Sequence, residues 1–141
     1  MNPKHRALIE SAKKAQKHSF CPYSHYAVGA AVQGGSGRIY TGANVESPTL
    51  IAAICAERNA IFSAIAHGER KILAVATVCK DSEPCGACRQ VILEFSAGDT
   101  PIYSVHQNPA GGRERLIRTS ISRLMPMAHT GKKVGFDRRA R

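Results

Sequence analysis

Between residues 3 and 18 the chain sets Ala7, Leu8, Ala12 and Ala15 at helical intervals among lysines, which predicts one amphipathic helix. Pro22, in FCPYSH, disfavours a helical residue at Cys21 and ends that element. YAVGAAVQ (26–33) and RIYTG (38–42) are short β-prone runs joined across GGSG, a hairpin pattern. IAAICAERNAIFSAIAH then places apolar residues on nearly every face, so a helix buried on most sides is expected from about Ala53 to His67. ILAVATVC (72–79) is an unbroken run rich in Val and Ile, as in a strand covered on both faces. CRQVILEF (88–95) reads as a helix opening at a cysteine pair, and PIYSVHQ (101–107) as a strand. NPAGG is a turn, RERLIRTS a less regular strand, and SISRLMP a short last helix. Helices alternating with strands predict an α/β domain, a mixed sheet with helices packed on its faces.

Composition narrows this to one compact domain, because 141 residues that are 43% hydrophobic can bury a core without disulfides. No stretch has the apolar length of a membrane span, and the basic, charge-interrupted first twenty residues lack the apolar centre of a secretory signal. A cytoplasmic protein is expected. The net charge of +10 raises the question of polyanions. Much of the excess lies at the two ends: Lys4, Arg6, Lys13, Lys14 and Lys17 in the first helix, and Lys132, Lys133, Arg138, Arg139 and Arg141 in the last segment. The expected organisation is a domain over 1–131 and a basic, disordered tail over 132–141. Nucleic acid is a poor fit, since the middle of the chain lacks the interleaved aromatic and basic residues that stack on and follow a single strand.

The five cysteines are an odd number in a chain with no mark of secretion, so metal binding or catalysis explains them better than a disulfide framework. Cys85 and Cys88 stand three apart at a helix start, where free amides and the positive dipole end favour thiolate. A structural zinc ribbon needs two such pairs, and this chain has one. Three cysteines with one open position is the alternative, and Cys55 is the best third ligand. Glu57, two residues further, is placed to move protons rather than to bind the metal. That set predicts metal-assisted hydrolysis. Cys21 and Cys79 are expected to be structural. Three thiolates on one zinc leave a net negative site, and Arg58 and Arg89 are placed to hydrogen-bond sulfur and moderate it.

NVES, CAERNA and PCGACRQ, in this order and at this separation, resemble the cytidine deaminase family of small zinc nucleoside deaminases. The similarity runs from FCPYSHYAVGAAV to RLMP. It implies a three-layer α/β fold with a mixed central sheet of about five strands. It implies one zinc per chain on Cys55, Cys85 and Cys88, with Glu57 carrying protons while activated water attacks C4 of a cytosine ring. It further implies that Asn44 and Glu46 hold the ribose hydroxyls, that Tyr26 takes the place of a Phe against the base, and that Ala56 lends its backbone. A homotetramer is implied too. Two positions depart from the family pattern: Leu50 stands where a Tyr is usual, and His129 where a Phe follows the last turn. These departures leave open, beside cytidine and deoxycytidine, a modified cytosine or an aminopyrimidine nucleoside of the blasticidin S type as substrate.

Overall fold

A computed structural model of the chain describes residues 1–108 and 110–135. The first helix, α1 (Pro3–Gln16), starts where Asn2 Oδ1 accepts the Lys4 amide at 2.9 Å and Pro3 presets the first turn. Five strands follow: β1 (Gly29–Gly34), β2 (Ile39–Ala43), β3 (Ile72–Cys79), β4 (Pro101–His106) and β5 (Arg115–Ser120). They form one sheet in the order β2-β1-β3-β4-β5, antiparallel except for the parallel pair β3/β4. The parallel pair requires a crossover, which α3 (Gly86–Phe95) supplies. The remaining helices are α2 (Ala56–Ala66) and the single turn α4 (Ile121–Leu124).

Alternation along the strands explains the layers. Ala31, Ala74, Ala76, Val78, Tyr103 and Val105 turn to one face and pack on Leu8, Ile9 and Ala12 of α1. Ala30, Val32, Val75 and Ile102 turn to the other and meet Ala56, Ala60, Ile61 and Ala64 of α2, Ile92 of α3 and Ile121 of α4. The expected three-layer α/β fold with a five-stranded mixed sheet is therefore present. Two glycines let the helices lie directly on the sheet. A Cβ on Gly29 would stand 2.2 Å from the Ala12 carbonyl oxygen of α1, and one on Gly42 would stand 2.5 Å from the Ala56 carbonyl oxygen of α2.

The sheet has two unlike ends. Gly29, Ala43, Cys79 and His106 lie together at one, where the chain enters α2 and α3. Gly34, Ile39, Ile72 and Pro101 lie at the other, beside the tight turns at 35–38, 67–71 and 96–100.

Several boundaries differ from the sequence expectation. The expected helix from Ala53 instead begins at Ala56, because Val45 and Ile54 exchange both amide hydrogen bonds at 3.0 Å and hold the chain extended up to Cys55. A 3-10 turn at Leu50–Ala52 precedes it. The first strand begins at Gly29 rather than Tyr26, since Tyr26 and Val28 bond the side chain of Asn44 instead of a neighbouring strand. Gly131–Val134 forms a 3-10 turn, and residues 136–141 of the expected basic tail lie outside the described residues. Among the described residues no helix is long and apolar enough to cross a membrane.

Candidate active site

Two helix starts meet at the functional end of the sheet. Cys55 is the N-cap of α2 and Cys85 the N-cap of α3, both extended in φ and ψ, while Cys88 lies in the first turn of α3. Their sulfurs all fall within 4.8 Å of one another, and Cys55 Sγ and Cys85 Sγ are 3.7 Å apart. Tetrahedral zinc with bonds of about 2.3 Å requires sulfurs roughly 3.8 Å apart, so the triangle fits that ion. The residues that would hold it are the three expected from sequence.

Glu57 is 5% exposed, on the buried side of the first turn of α2, with Oε2 3.6 Å from Cys88 Sγ. Burial pushes its carboxyl up, and the neighbouring Cys55 sulfur adds to the effect. The hydrogen bond with Cys88 and those from Arg58 pull the Cys55 thiol down to about 5, whereas its contact with Cys55 and its burial push Cys88 up. Arg58 Nη2 donates to Cys55 Sγ at 3.4 Å, and that contact raises the guanidinium pKa further. The sulfur partner foreseen for Arg58 is thus in place. Arg89 corrects the matching expectation: its Nε donates to the Pro84 carbonyl at 2.7 Å and its Nη1 to the Leu124 carbonyl at 3.2 Å. It braces the approach to Cys85 against α4 instead of touching a thiolate, because the main-chain carbonyls at Pro84 and Leu124 are the nearer acceptors.

A cavity of about 400 Å³ opens onto this cluster, lined by Tyr26, Asn44, Glu46, Ala56 and Glu57, with Leu50 at its wall. Asn44 is more occupied than its sequence position suggests. Its Oδ1 accepts from Ser19 Oγ at 2.5 Å and Val28 N at 2.9 Å, and its Nδ2 donates to the Tyr26 carbonyl at 2.8 Å. One Nδ2 hydrogen remains. Glu46 Oε1 accepts the amides of Tyr23 and Ser24 at 3.1 and 3.0 Å, and the bonds from Ser24 hold its carboxyl below the usual range. Ala56 is fully buried, and its amide is among the first of α2, where no helical carbonyl accepts it.

Tyr26 brings a hydroxyl to the cavity wall. It stands 2.9 Å from Asp81 Oδ1 and 3.0 Å from Ser82 Oγ, and burial raises it to about 12. Cys79 is buried at the cavity wall, with Sγ donating to the Ser82 carbonyl at 3.1 Å, and Cys21 stands apart from the metal cluster. His129 accepts from Gln90 Nε2 through its carbonyl at 3.0 Å and is not among the lining residues. Ser82 and Glu83 also line the cavity, and neither is expected from the sequence. Their only signal there is adjacency to PCGAC.

Three cysteine sulfurs placed to hold zinc with a buried carboxyl beside them, carried on the starts of two helices against a mixed sheet, make the site of a metal-dependent hydrolase. The comparisons with known proteins make that class the zinc-dependent deaminases. The chain belongs to the cytidine and deoxycytidylate deaminase zinc-binding family, whose model matches residues 2–104. It is 40% identical over 133 residues to a cytidine deaminase of Sporosarcina psychrophila, spanning 92% of this chain and 93% of that protein. Among solved structures, the cytidine deaminase of Burkholderia pseudomallei superposes with a TM-score of 0.78 at 39% identity, covering 92% of this chain and all of the other. That of Mycobacterium tuberculosis gives 0.72 at 32%, covering 92% and 99%.

Proposed function

We propose that the chain hydrolyses cytidine and deoxycytidine to uridine and deoxyuridine with release of ammonia, as a step of pyrimidine salvage in the cytoplasm. The observation that carries this is the sulfur triangle with Glu57 beside it. Cys55, Cys85 and Cys88 would hold zinc there, and the ion would supply a Lewis acid that lowers the pKa of water toward neutrality. Glu57, its carboxyl raised by burial, takes a proton from the attacking water and gives it to N3 of the ring as the C4–O bond forms. The same carboxyl then takes the proton of the new C4 hydroxyl and passes it to the exocyclic nitrogen; the C4=O bond forms as the C4–N bond breaks, and ammonia leaves. Overall one water is consumed and one ammonia released.

The remaining groups orient the nucleoside. Asn44 offers its free Nδ2 hydrogen and Glu46 its second oxygen to the ribose hydroxyls, each rigid because its other atoms are already bonded. Tyr26 supplies a ring face for the base and Ala56 an amide. Arg58 tempers the charge on Cys55. Leu50 at the cavity wall is 87% exposed and its chain neighbour Ile51 98%, an apolar edge that assembly into a homotetramer would cover.

One observation favours a second reading. Leu50 lines the cavity where the resembled family carries Tyr, so the wall is aliphatic and a modified cytosine or other aminopyrimidine nucleoside could be the preferred substrate. Ammonia release measured across cytidine, deoxycytidine, 5-substituted cytidines and blasticidin S decides between them. Turnover of cytidine at the highest kcat/KM supports the first reading, and no release from cytidine rejects it.

A further inference from the structure

The segment that delivers Cys85 is held at every residue. Asp81 and Ser82 meet the Tyr26 hydroxyl, to which the Asp81 amide donates at 3.2 Å, and the Ser82 amide donates to Cys79 Sγ at 3.4 Å. Pro84 is fully buried and its carbonyl accepts from Arg89. Between them, Glu83 reaches in the opposite direction, onto β4. Its Oε2 accepts from Ser104 Oγ at 2.5 Å and its Oε1 lies 3.2 Å from His106 Nε2. Ser104 is itself fully buried and accepts from Thr77 Oγ1 of β3 at 3.3 Å.

We propose that Glu83 is a positioning residue that fixes Cys85 in the sulfur triangle by anchoring the 81–84 segment to the parallel strands β3 and β4. Arg89 holds the Pro84 carbonyl from within α3 itself, and of the restraints that tie this segment to the rest of the fold, those to Tyr26 and Cys79 are weaker anchors. The Tyr26 contacts are exposed to water, and sulfur is a poor hydrogen-bond partner. The Glu83–Ser104 bond is short and involves a carboxylate, and its partner sits on a strand with neighbours on both sides. Two residues of chain, Pro84 and Cys85 itself, separate that anchor from the ligand sulfur, and proline stiffens one of them. Removing the carboxylate would also leave the buried hydroxyl of Ser104, which itself accepts from Thr77, without its acceptor. Although Glu83 borders the cavity, both of its carboxylate oxygens are turned to Ser104 and His106 of β4, so it works on the metal through Cys85.

The test compares Glu83→Ala, Glu83→Gln, Ser104→Ala and the Glu83→Ala/Ser104→Ala pair with the parent protein. Zinc release to a chromophoric chelator, the thiolate-to-metal bands of the cobalt-substituted protein, and kcat and KM for cytidine are measured. Loss of an outer partner of a metal site weakens metal holding by about tenfold or more, so Glu83→Ala should release zinc about tenfold faster and shift the cobalt bands. Its kcat should fall while KM stays within about twofold, as for a residue that acts through the metal site. Glu83→Gln keeps an oxygen for Ser104 and should recover most of the release rate. Ser104→Ala should move the same way by less, and the pair should be no worse than Glu83→Ala alone. Thr100→Val, which removes a buried hydroxyl bonded to Ile72 at the far end of the sheet, is the control for general destabilisation. Parental zinc release and cobalt bands in Glu83→Ala overturn the proposal, as does equally fast release in Thr100→Val. Should Glu83→Ala fail to fold, Ser104→Ala decides instead: faster release supports the anchor, and release at the parental rate overturns it. Release and spectra stand independently of which nucleoside is turned over.

Discussion

Glu57 is the side chain whose chemistry and environment agree most closely. It is buried, raised by that burial, and within reach of Cys88 without being one of the three sulfur ligands. Glu57→Gln keeps the shape and removes the proton carrier, so kcat should drop by about 10²- to 10⁴-fold while zinc content by mass spectrometry stays near one per chain. A fully active variant would contradict the mechanism. At this scale the sequence was most legible where ligands lie close together in the chain. CAE and CGAC each sit on one helix start, so spacing alone placed the cysteines and the carboxylate. Arg58 was foreseen for the same reason, being three residues from its sulfur. The contacts of Arg89 and Glu83 were not, because their partners Leu124, Ser104 and His106 come from elements that only the folded sheet brings near. Asn44 shows a mixed case. Its place in NVES pointed to the sugar, but its bonds to Ser19, Tyr26 and Val28 depend on two loops meeting.

Elements were legible in kind and shifted in extent. Every helix and strand expected from periodicity is present, and the misplaced boundaries fall where side chains replace backbone as partners. Asn44 takes the amide and carbonyl that would have lengthened β1, and the Val45–Ile54 bridge delays α2. The turn between β1 and β2 carries a comparable side-chain device that periodicity does not reveal. Glu69, 7% exposed, accepts from Ser36 through both the amide, at 3.1 Å, and the hydroxyl, and from Tyr40 Oη at 3.1 Å. The bonds from Ser36 hold its carboxyl below the usual range. A carboxyl depressed in the folded state stabilises fully above its unfolded pKa of roughly 4.3 and loses that contribution as pH falls through the folded value. Glu69→Gln should therefore lower the denaturation midpoint at pH 7. The gap from the parent should begin to close below about pH 5 and be lost in stronger acid. A gap that stays constant with pH would assign the effect to shape rather than charge.

For the whole molecule, the exposed pair Leu50 and Ile51 beside the cavity carries the proposed assembly. Ile51→Asp places a charge on that edge, and light scattering should show a species smaller than the homotetramer proposed for the parent, with weaker substrate binding if a neighbour closes the cavity. A parent that is itself monomeric would refute the assembly. The basic excess, by contrast, was a poor guide to chemistry, because charge at the first helix and the last residues says little about a cavity built from the middle of the chain.

The division of the sheet into two unlike ends makes the molecule an asymmetric scaffold. Chain entering α2 and α3 at one end forms the metal site and the proposed nucleoside cavity, whereas the turns at the other end lie away from that cavity. Gly98, exposed and at φ 85°, sits in such a turn with open space around its Cβ position. A short flexible peptide grafted between Ala97 and Gly98 should leave zinc content and turnover near parental values, while the same graft between Ser82 and Glu83 should abolish both. The fold thus has a natural handle, a place to hang a label, an affinity tag or a second domain at the sheet end opposite the reaction.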